Sequence, residues 1–391
     1  MTGRVRAFLT VLALSAAFLY LAALYGLLAR VLLFLKFNDF GKFYLSVQQF
    51  RHGVSLYAPN EATLIPLSKD VSREFLNLNP PHFHLIVLPF AFLPEGIAYL
   101  AWLAFNAILL FVSWRAICRE LRMTLTWDQS LIAALLFAAA APTMAWMVTG
   151  QVTGILVAIT TRIWLDARTG HWRRAGIGIG LACALKVFFA PLALYLLLRR
   201  QWGALLAASA AIAVTVAAGV GLFGLAEYRA WIAALSAVNW QWPPMNASAT
   251  APLARVTSGD PLQAGHAAPG IAPLLTVSAA IVALAGTWIA VTARRIDDAF
   301  TVLLLTCILA SPLGWVYYHW IVAGPAMVTF QRRTAVVIVA CAAFLIPFIV
   351  LFPWPSVLFA GTLGSLYSWA TLALWGSAIV RSRNIEPVQI D

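Results

Sequence analysis

Apolar and polar positions along this chain fall into long blocks, not into the alternation of a half-buried strand. The blocks ending at Leu35 and covering Ile97 to Cys118, Gly203 to Leu225, Leu274 to Thr292 and Leu358 to Val380 are near the ~20 residues a helix needs to cross a hydrocarbon core. Ser130 to Val148, Val152 to Leu165 and Ala335 to Phe352 predict further crossings. His82 to Pro94, bracketed by Pro80-Pro81 and Pro94, is too short to span and reads as a re-entrant or interfacial segment. The first block, from the start MTGRVR to Leu35, runs well past the roughly 7–15 apolar residues of a cleavable signal, so it predicts a retained first helix.

Clusters of arginine punctuate the blocks: Arg4/Arg6, Arg115/Arg119/Arg122, Arg168/Arg173/Arg174, Arg199/Arg200, Arg294/Arg295, Arg332/Arg333 and Arg381/Arg383. Placing each cluster in the cytoplasm fixes the parity of what lies between. The stretch 36–80 and the stretch 226–270 then become extracytoplasmic loops. Ala175 to Leu198 has arginines at both ends and must cross an even number of times, yet is long enough only for two half-length helices. Lys186 and Pro191 sit near its middle. Ala299 to Thr329 poses the same problem around Ser311 to His319. Pairs of short helices meeting at an apex resolve both, because a non-helical apex is tolerated where protein or water lines it. The expectation is an all-α polytopic membrane protein of about 12 transmembrane or half-length helices, one domain over 1–391, with both termini inside.

Composition sharpens the class. Hydrophobic residues make up 62% of the chain, charged residues 10%, and the mean hydropathy is +0.86, where soluble domains carry about a quarter charged residues. The net charge of +12 lies mostly in the topogenic clusters, so it does not argue for nucleic acid. Cys118, Cys183, Cys307 and Cys341 are far apart in or beside apolar runs, which fits packing better than a disulfide or metal framework.

Acids are few enough to argue by elimination. Glu120, Asp128, Asp166, Asp297, Asp298, Glu386 and Asp391 fall on the cytoplasmic side. Of the outer set, Glu61, Asp70 and Glu74 read as solvated loop, Glu95 opens a helix, Asp260 marks a turn, and Glu227 begins the second loop. Asp39 differs: it stands in FLKFNDFGKFY, Phe34 to Tyr44, where an apolar run meets Lys36, Asn38 and Lys42 among aromatic rings. It is either a functional carboxylate at the membrane boundary or the partner of Lys36 or Lys42 at a helix end. Lys186 is the second outlier, since a cation inside an apolar stretch needs a partner or a ligand. It suits a phosphate whose lipid tail stays in the bilayer; a structural pair is the alternative. His319, beside Tyr317, Tyr318 and Trp320, is a packing histidine or an anion ligand near the second apex. His82 and His84 lack the i, i+4 spacing of a helical metal pair. Trp240, Trp242, Trp315 and Trp354 form an interfacial belt or stack on sugar rings.

Taken together, several short motifs resemble glycosyltransferase family 87, the polyprenyl-phosphate-mannose-dependent mannosyltransferases of the GT-C class of membrane enzymes. They are Asp39-Phe40 with Tyr44, Gly53 and Tyr57; Asn79-Pro80-Pro81 with Pro89 and Pro94; Gly150-Gln151; Gly180 to Pro191 around Lys186; Asn246-Ala247-Ser248 with Arg255; and Ser311-Pro312-Leu313-Gly314-Trp315 leading to His319. The sequence departs from the family pattern after Gln151, which is followed by Val-Thr, and at NPPHF. The resemblance implies an inverting transfer of a hexose, mannose first, from a polyprenyl-phosphate sugar to a glycolipid or glycan acceptor, at the outer face of a bacterial cytoplasmic membrane. Arabinosyl or glucosyl transfer on the same scaffold, and a lipid or solute transporter, are the alternatives. In the implied site Asp39 is the catalytic base; Lys186, His319 and Arg255 bind the donor phosphate; Tyr44, Gln151, Asn246, Trp315 and Tyr318 line the substrate. A divalent metal is compatible with this chemistry, but no acidic cluster calls for one.

Overall fold

The computed structural model describes residues 20–22, 25–26, 39–66, 72–236, 241–257, 269–331, 334–351 and 356–383. Most of the first apolar block, Lys36, Asn38, Asp70, Asp260, Trp240, Trp354 and the clusters Arg4/Arg6 and Arg332/Arg333 lie outside the described residues. Among the described residues the chain is all-α apart from one short antiparallel hairpin, Leu64–Pro66 with Ser72–Glu74. In order, α1 (Asp39–Arg51) precedes the hairpin, and 81–92 folds as short helical turns. Then come α2 (Glu95–Glu120), α3 (Trp127–Ala139), α4 (Ala141–Thr149), α5 (Thr153–Arg168), α6 (Trp172–Leu185), α7 (Ala190–Leu198) and α8 (Trp202–Phe223). The stretch 226–270 is more than a loop, since it holds most of α9 (Leu225–Ser236) and all of α10 (Ala251–Thr257). The chain ends with α11 (Ala272–Thr292), α12 (Ile296–Ala310), α13 (Ala323–Thr329), α14 (Ala335–Ala343) and α15 (Leu366–Arg383).

Among the described residues, α2, α8, α11 and the stretch Val357–Arg383 are long and apolar enough to cross a membrane. In α2 the buried residues Ala98, Trp102, Asn106, Leu110, Ser113 and Ile117 recur at helical spacing, while Leu100, Ile108 and Phe111 on the other faces are more than half exposed. Apolar side chains turned outward are stable only where the solvent is itself apolar. This is a polytopic helical membrane protein.

Two expected crossings are not continuous helices. The single crossing over Ser130 to Val148 is a bent pair, α3 and α4, with 56° between them. Ala140 is extended, Pro142 occupies the first turn of α4, and the Ala141 N–H donates to Phe344 O at 2.6 Å. The crossing over Ala335 to Phe352 stops helically at Ala343 and resumes as the short turn Phe348–Leu351 beyond Pro347.

The two paired segments break where the sequence places their apices. α6 ends at Lys186, whose backbone is extended, and a short turn at Val187–Phe189 leads into α7. α12 ends at Ser311, and a 3-10 stretch from Val316 to Val322 leads into α13. The second break is satisfied by another segment. Val316 N–H donates to Met245 O and Ala247 N–H to Gly314 O, both at 2.7 Å, with Asn246 and Trp315 in an antiparallel bridge. Irregular backbone thus finds its partners within protein, as a low-dielectric surround demands.

Small residues let the helices close up. A Cβ on Gly176 or Gly180 of α6 would fall 2.2 or 2.3 Å from the Ala204 or Ala208 carbonyl of α8. At Gly154 of α5, a Cβ would stand 2.2 Å from Asn106 O of α2. Asn106 Oδ1 accepts the Gly154 N–H at 3.0 Å, satisfying an amide at the start of α5. Gly154→Ala is therefore expected to destabilise by about 1–3 kcal/mol through overpacking. Gly221→Ala in α8, with nothing within 4 Å, serves as the near-neutral comparison in thermal melts.

Candidate active site

Asp39 is the first residue of α1, where a carboxylate is favoured by the unsatisfied amides of the helix start. Both of its oxygens are held. Lys42 Nζ lies 2.5 Å from Oδ1, and Gln151 Nε2 donates to Oδ2 at 2.5 Å. The Lys42 pair is thus real, but it does not exhaust the carboxylate, whose side chain keeps 22% of its surface exposed. Each carboxylate oxygen accepts more than one hydrogen bond.

Gln151 reaches Asp39 because the corner between α4 and α5 is forced against α1. Gly150 has φ 66°, a left-handed conformation, and a Cβ there would sit 2.5 Å from Phe40 Cβ and 2.8 Å from Tyr99. Trp102 Nε1 donates to Gly150 O at 2.7 Å, and Tyr99 donates to Met147 O. Phe40 stacks obliquely on both Tyr99 and Trp102. The amide of Gln151 must present its NH₂ to a carboxylate, which leaves Oε1 pointing elsewhere. That oxygen is buried and has no hydrogen-bond partner among the described residues.

Lys186 sits in the same centre. Its Nζ donates to Asn79 Oδ1 at 2.6 Å and lies 5.7 and 5.9 Å from the ring centroids of Phe83 and Tyr318. It lies within electrostatic reach of Asp39 and Lys42, as the hydroxyls of Tyr317 and Tyr318 lie within reach of Asp39. Asn79 is in turn aimed by its neighbours. Its Nδ2 donates to Asn77 Oδ1 at 3.1 Å, and Asn77 Nδ2 reaches Ser46 Oγ of α1 and His84 Nε2. Burial pushes the His84 imidazole down to about 4, so the ring is neutral and Nε2 can accept while Nδ1 faces Pro81 O. His82 Nε2 donates to Ala184 O at 2.7 Å, fixing 81–92 against the end of α6.

The remaining predicted residues divide. Tyr318 packs on Phe188 and Tyr317 beside Lys186, and Trp315 stacks on Tyr317. Four others hold the frame. Tyr44 donates to Leu93 O at 2.9 Å. Asn246 donates to Gln241 O and Pro312 O, both at 2.9 Å. His319 lies between Val316 O and Thr371 Oγ1 of α15. Arg255 is buried and donates to Trp242 O, Pro243 O, Asn246 O and Ser365 Oγ, tying α10 to 242–246 and to the turn before α15. Sequence reasoning did not place Asn77, Asn79 or Tyr317 at the centre. The dense polar run from Asn77 to His84 beside two prolines was the available signal. Among the described residues no group of three His, Cys, Asp or Glu side chains is arranged to hold a metal ion.

The membrane-spanning helical bundle thus gathers one carboxylate, two lysines, amides and aromatic rings. The chain belongs to glycosyltransferase family 87, whose profile matches residues 77–313. The match includes Asn79, Gln151, Lys186, Asn246 and Arg255, and it leaves Asp39, Trp315, Tyr318 and His319 outside. An α-(1→3)-arabinofuranosyltransferase of Mycobacterium tuberculosis, in strains CDC 1551 / Oshkosh and ATCC 25618 / H37Rv, is 29% identical over 174 residues. That stretch is 44% of this chain and only 38% of the relative's length. No solved structure matches the chain.

Arg255→Met is expected to lower the melting temperature markedly and to open 241–250 to proteolysis, because buried carbonyls left without donors cost about 1–3 kcal/mol each. Limited proteolysis with thermal melts reads this out; an unchanged melting temperature would remove Arg255 as the clasp of that loop.

Proposed function

We propose that the chain is a GT-C-class enzyme that moves a hexose, mannose in the first reading, from a polyprenyl-phosphate sugar to an acceptor hydroxyl, with inversion. The observation that carries this is the shared centre of Asp39 and Lys186. Asp39 takes the proton from the acceptor hydroxyl as its oxygen attacks the anomeric carbon. The bond from that carbon to the phosphate oxygen breaks, and polyprenyl phosphate leaves with one more negative charge. Lys186 holds the phosphate and stabilises the growing charge, released from Asn79 or keeping that contact. A phosphate leaves without being protonated by an enzyme acid, so one carboxylate suffices and the paired acids of glycosidases are not needed. Gln151 aims the carboxylate, and its unpartnered carbonyl is available to a sugar hydroxyl. Arg255, His319, Asn246 and Tyr44 support the loops that carry Trp315 and Tyr318.

The arginine clusters support an orientation with Asp39 outside a bacterial cytoplasmic membrane, the whole chain forming one catalytic unit. A second reading, an arabinofuranose donor, is favoured by the likeness to the arabinofuranosyltransferase. The acceptor in either case is a glycolipid or glycan.

Purified enzyme given a panel of polyprenyl-phosphate sugars should release lipid phosphate with one donor sugar and form a glycosidic bond of inverted configuration. Asp39→Asn is expected to cut transfer by roughly 10²–10⁴-fold or more while leaving the fold and donor binding in place; near-normal transfer would remove Asp39 as the base. Lys186→Met is expected to weaken donor binding sharply, and an unchanged donor affinity would leave the lysine as structure only. Cysteine placed at exposed His52 should label from outside intact cells. Labelling only from the cytoplasm would overturn the orientation.

A further inference from the structure

The end of α6 opposite Lys186 carries a second cationic feature, which the transfer chemistry does not use. Because α7 returns the chain to the level where α6 began, α8 runs parallel to α6, with Gly176 beside Ala204 and Gly180 beside Ala208. The two helices therefore start side by side. Each follows a tight turn through a left-handed residue, Gly170 at φ 76° and Arg200 at φ 53°. Between the two starts lies a cavity of about 440 Å³ lined chiefly by Gly170, His171, Arg173, Arg174, Gln201 and Gly203.

No carboxylate lines this cavity. Among the described residues, neither Arg173 nor Arg174 has an ion-pair partner, whereas the nearby Arg162 and Arg168 are paired with acids. Neither His171 nor Gln201 caps the following helix with its side chain, so the first-turn amides of both helices lack side-chain acceptors. Gly203 keeps the space open: a Cβ there would lie 3.3 Å from Arg173 Nε. An antiparallel pair would oppose its dipoles; this parallel pair adds them at one corner. Two exposed guanidiniums, two sets of amides and an open cleft between the helix starts together favour a tetrahedral oxyanion.

The surroundings select its source. Trp202 beside the cavity is 60% exposed, and Ile177 and Leu206, about a turn further along α6 and α8, expose 48% and 73% of their surface. A phosphate seated at the corner would have apolar helix faces below it and an indole at headgroup level. We infer that this corner binds the phosphate of an anionic membrane-lipid headgroup, a site separate from the donor phosphate. The 14 residues of α6 put it about 21 Å from Lys186. The inference rests on the polytopic fold and not on the sugar transferred.

The test is binding of phosphatidylglycerol, phosphatidylcholine and inorganic phosphate to the full chain in neutral detergent, followed by native mass spectrometry and melting temperature. Phosphatidylglycerol should bind and stabilise, and phosphatidylcholine should do so much less. Arg173→Gln with Arg174→Gln should weaken phosphatidylglycerol binding roughly ten- to thirtyfold. Arg294→Gln with Arg295→Gln, at the corner between α11 and α12 where Asp297 and Asp298 already stand in the first helical turn, should leave it unchanged. Gly203→Leu, which fills the space without altering charge, should also weaken it, and so tests the site if the double arginine variant fails to fold. Equal losses from both arginine pairs, no loss from Arg173/Arg174 and Gly203 variants, or no preference for phosphatidylglycerol would overturn the site. Full competition by millimolar inorganic phosphate would overturn the lipid as its occupant.

Discussion

A lysine ammonium set at a break in an apolar helix pair has to be given oxygen, and the way this is done organises the candidate site. The ligand is Asn79 Oδ1 at 2.6 Å, and Asn79 is itself aimed by Asn77, which is bound to Ser46 and His84. Through that relay the end of α6, the turns after Pro81 and the helix that starts at Asp39 are fixed relative to one another. A buried polar network of this kind is stable only when each member is satisfied. Asp39 and Lys186 therefore share one rigid setting.

The same rule governs the second break. The backbone from Ser311 to Val316 leaves helical geometry and is paired by 245–249, which Arg255 pins from behind. Arg255, Asn246 and His319 thus work through main-chain carbonyls and α15, one shell behind the rings of Trp315, Tyr317 and Tyr318. The centre is small and its support is wide, which is the arrangement expected where a reacting geometry must be held to a fraction of an ångström.

Much of this was legible in the sequence, for a definable reason. Arginines at both ends of a segment too short for two full crossings forced a break near Lys186 and another near Ser311, and both occur there. Charge topology is a long-range constraint that needs no contact information. Local bends were harder: the 56° angle between α3 and α4 depends on Pro142 and on Phe344 accepting the freed amide, and only the proline is visible in sequence. Side-chain roles were hardest. Arg255, Asn246 and His319 are polar residues in suggestive motifs, but which oxygen each one meets is decided by packing between distant segments. Lys42 shows the converse, because the ion pair expected at a helix end does form and still leaves part of the Asp39 carboxylate exposed.

The corner at Gly150 has a consequence for divergence among related chains. Its left-handed backbone lies against Phe40 and Tyr99 with no room for a methyl group, and the next residue grips the candidate base. Position 150 is therefore coupled sterically to 40 and 99. A lineage that acquires a larger residue at 150 must trim one of the two rings in compensation, or else shift the amide away from the acid, so these three positions should be inherited as a set.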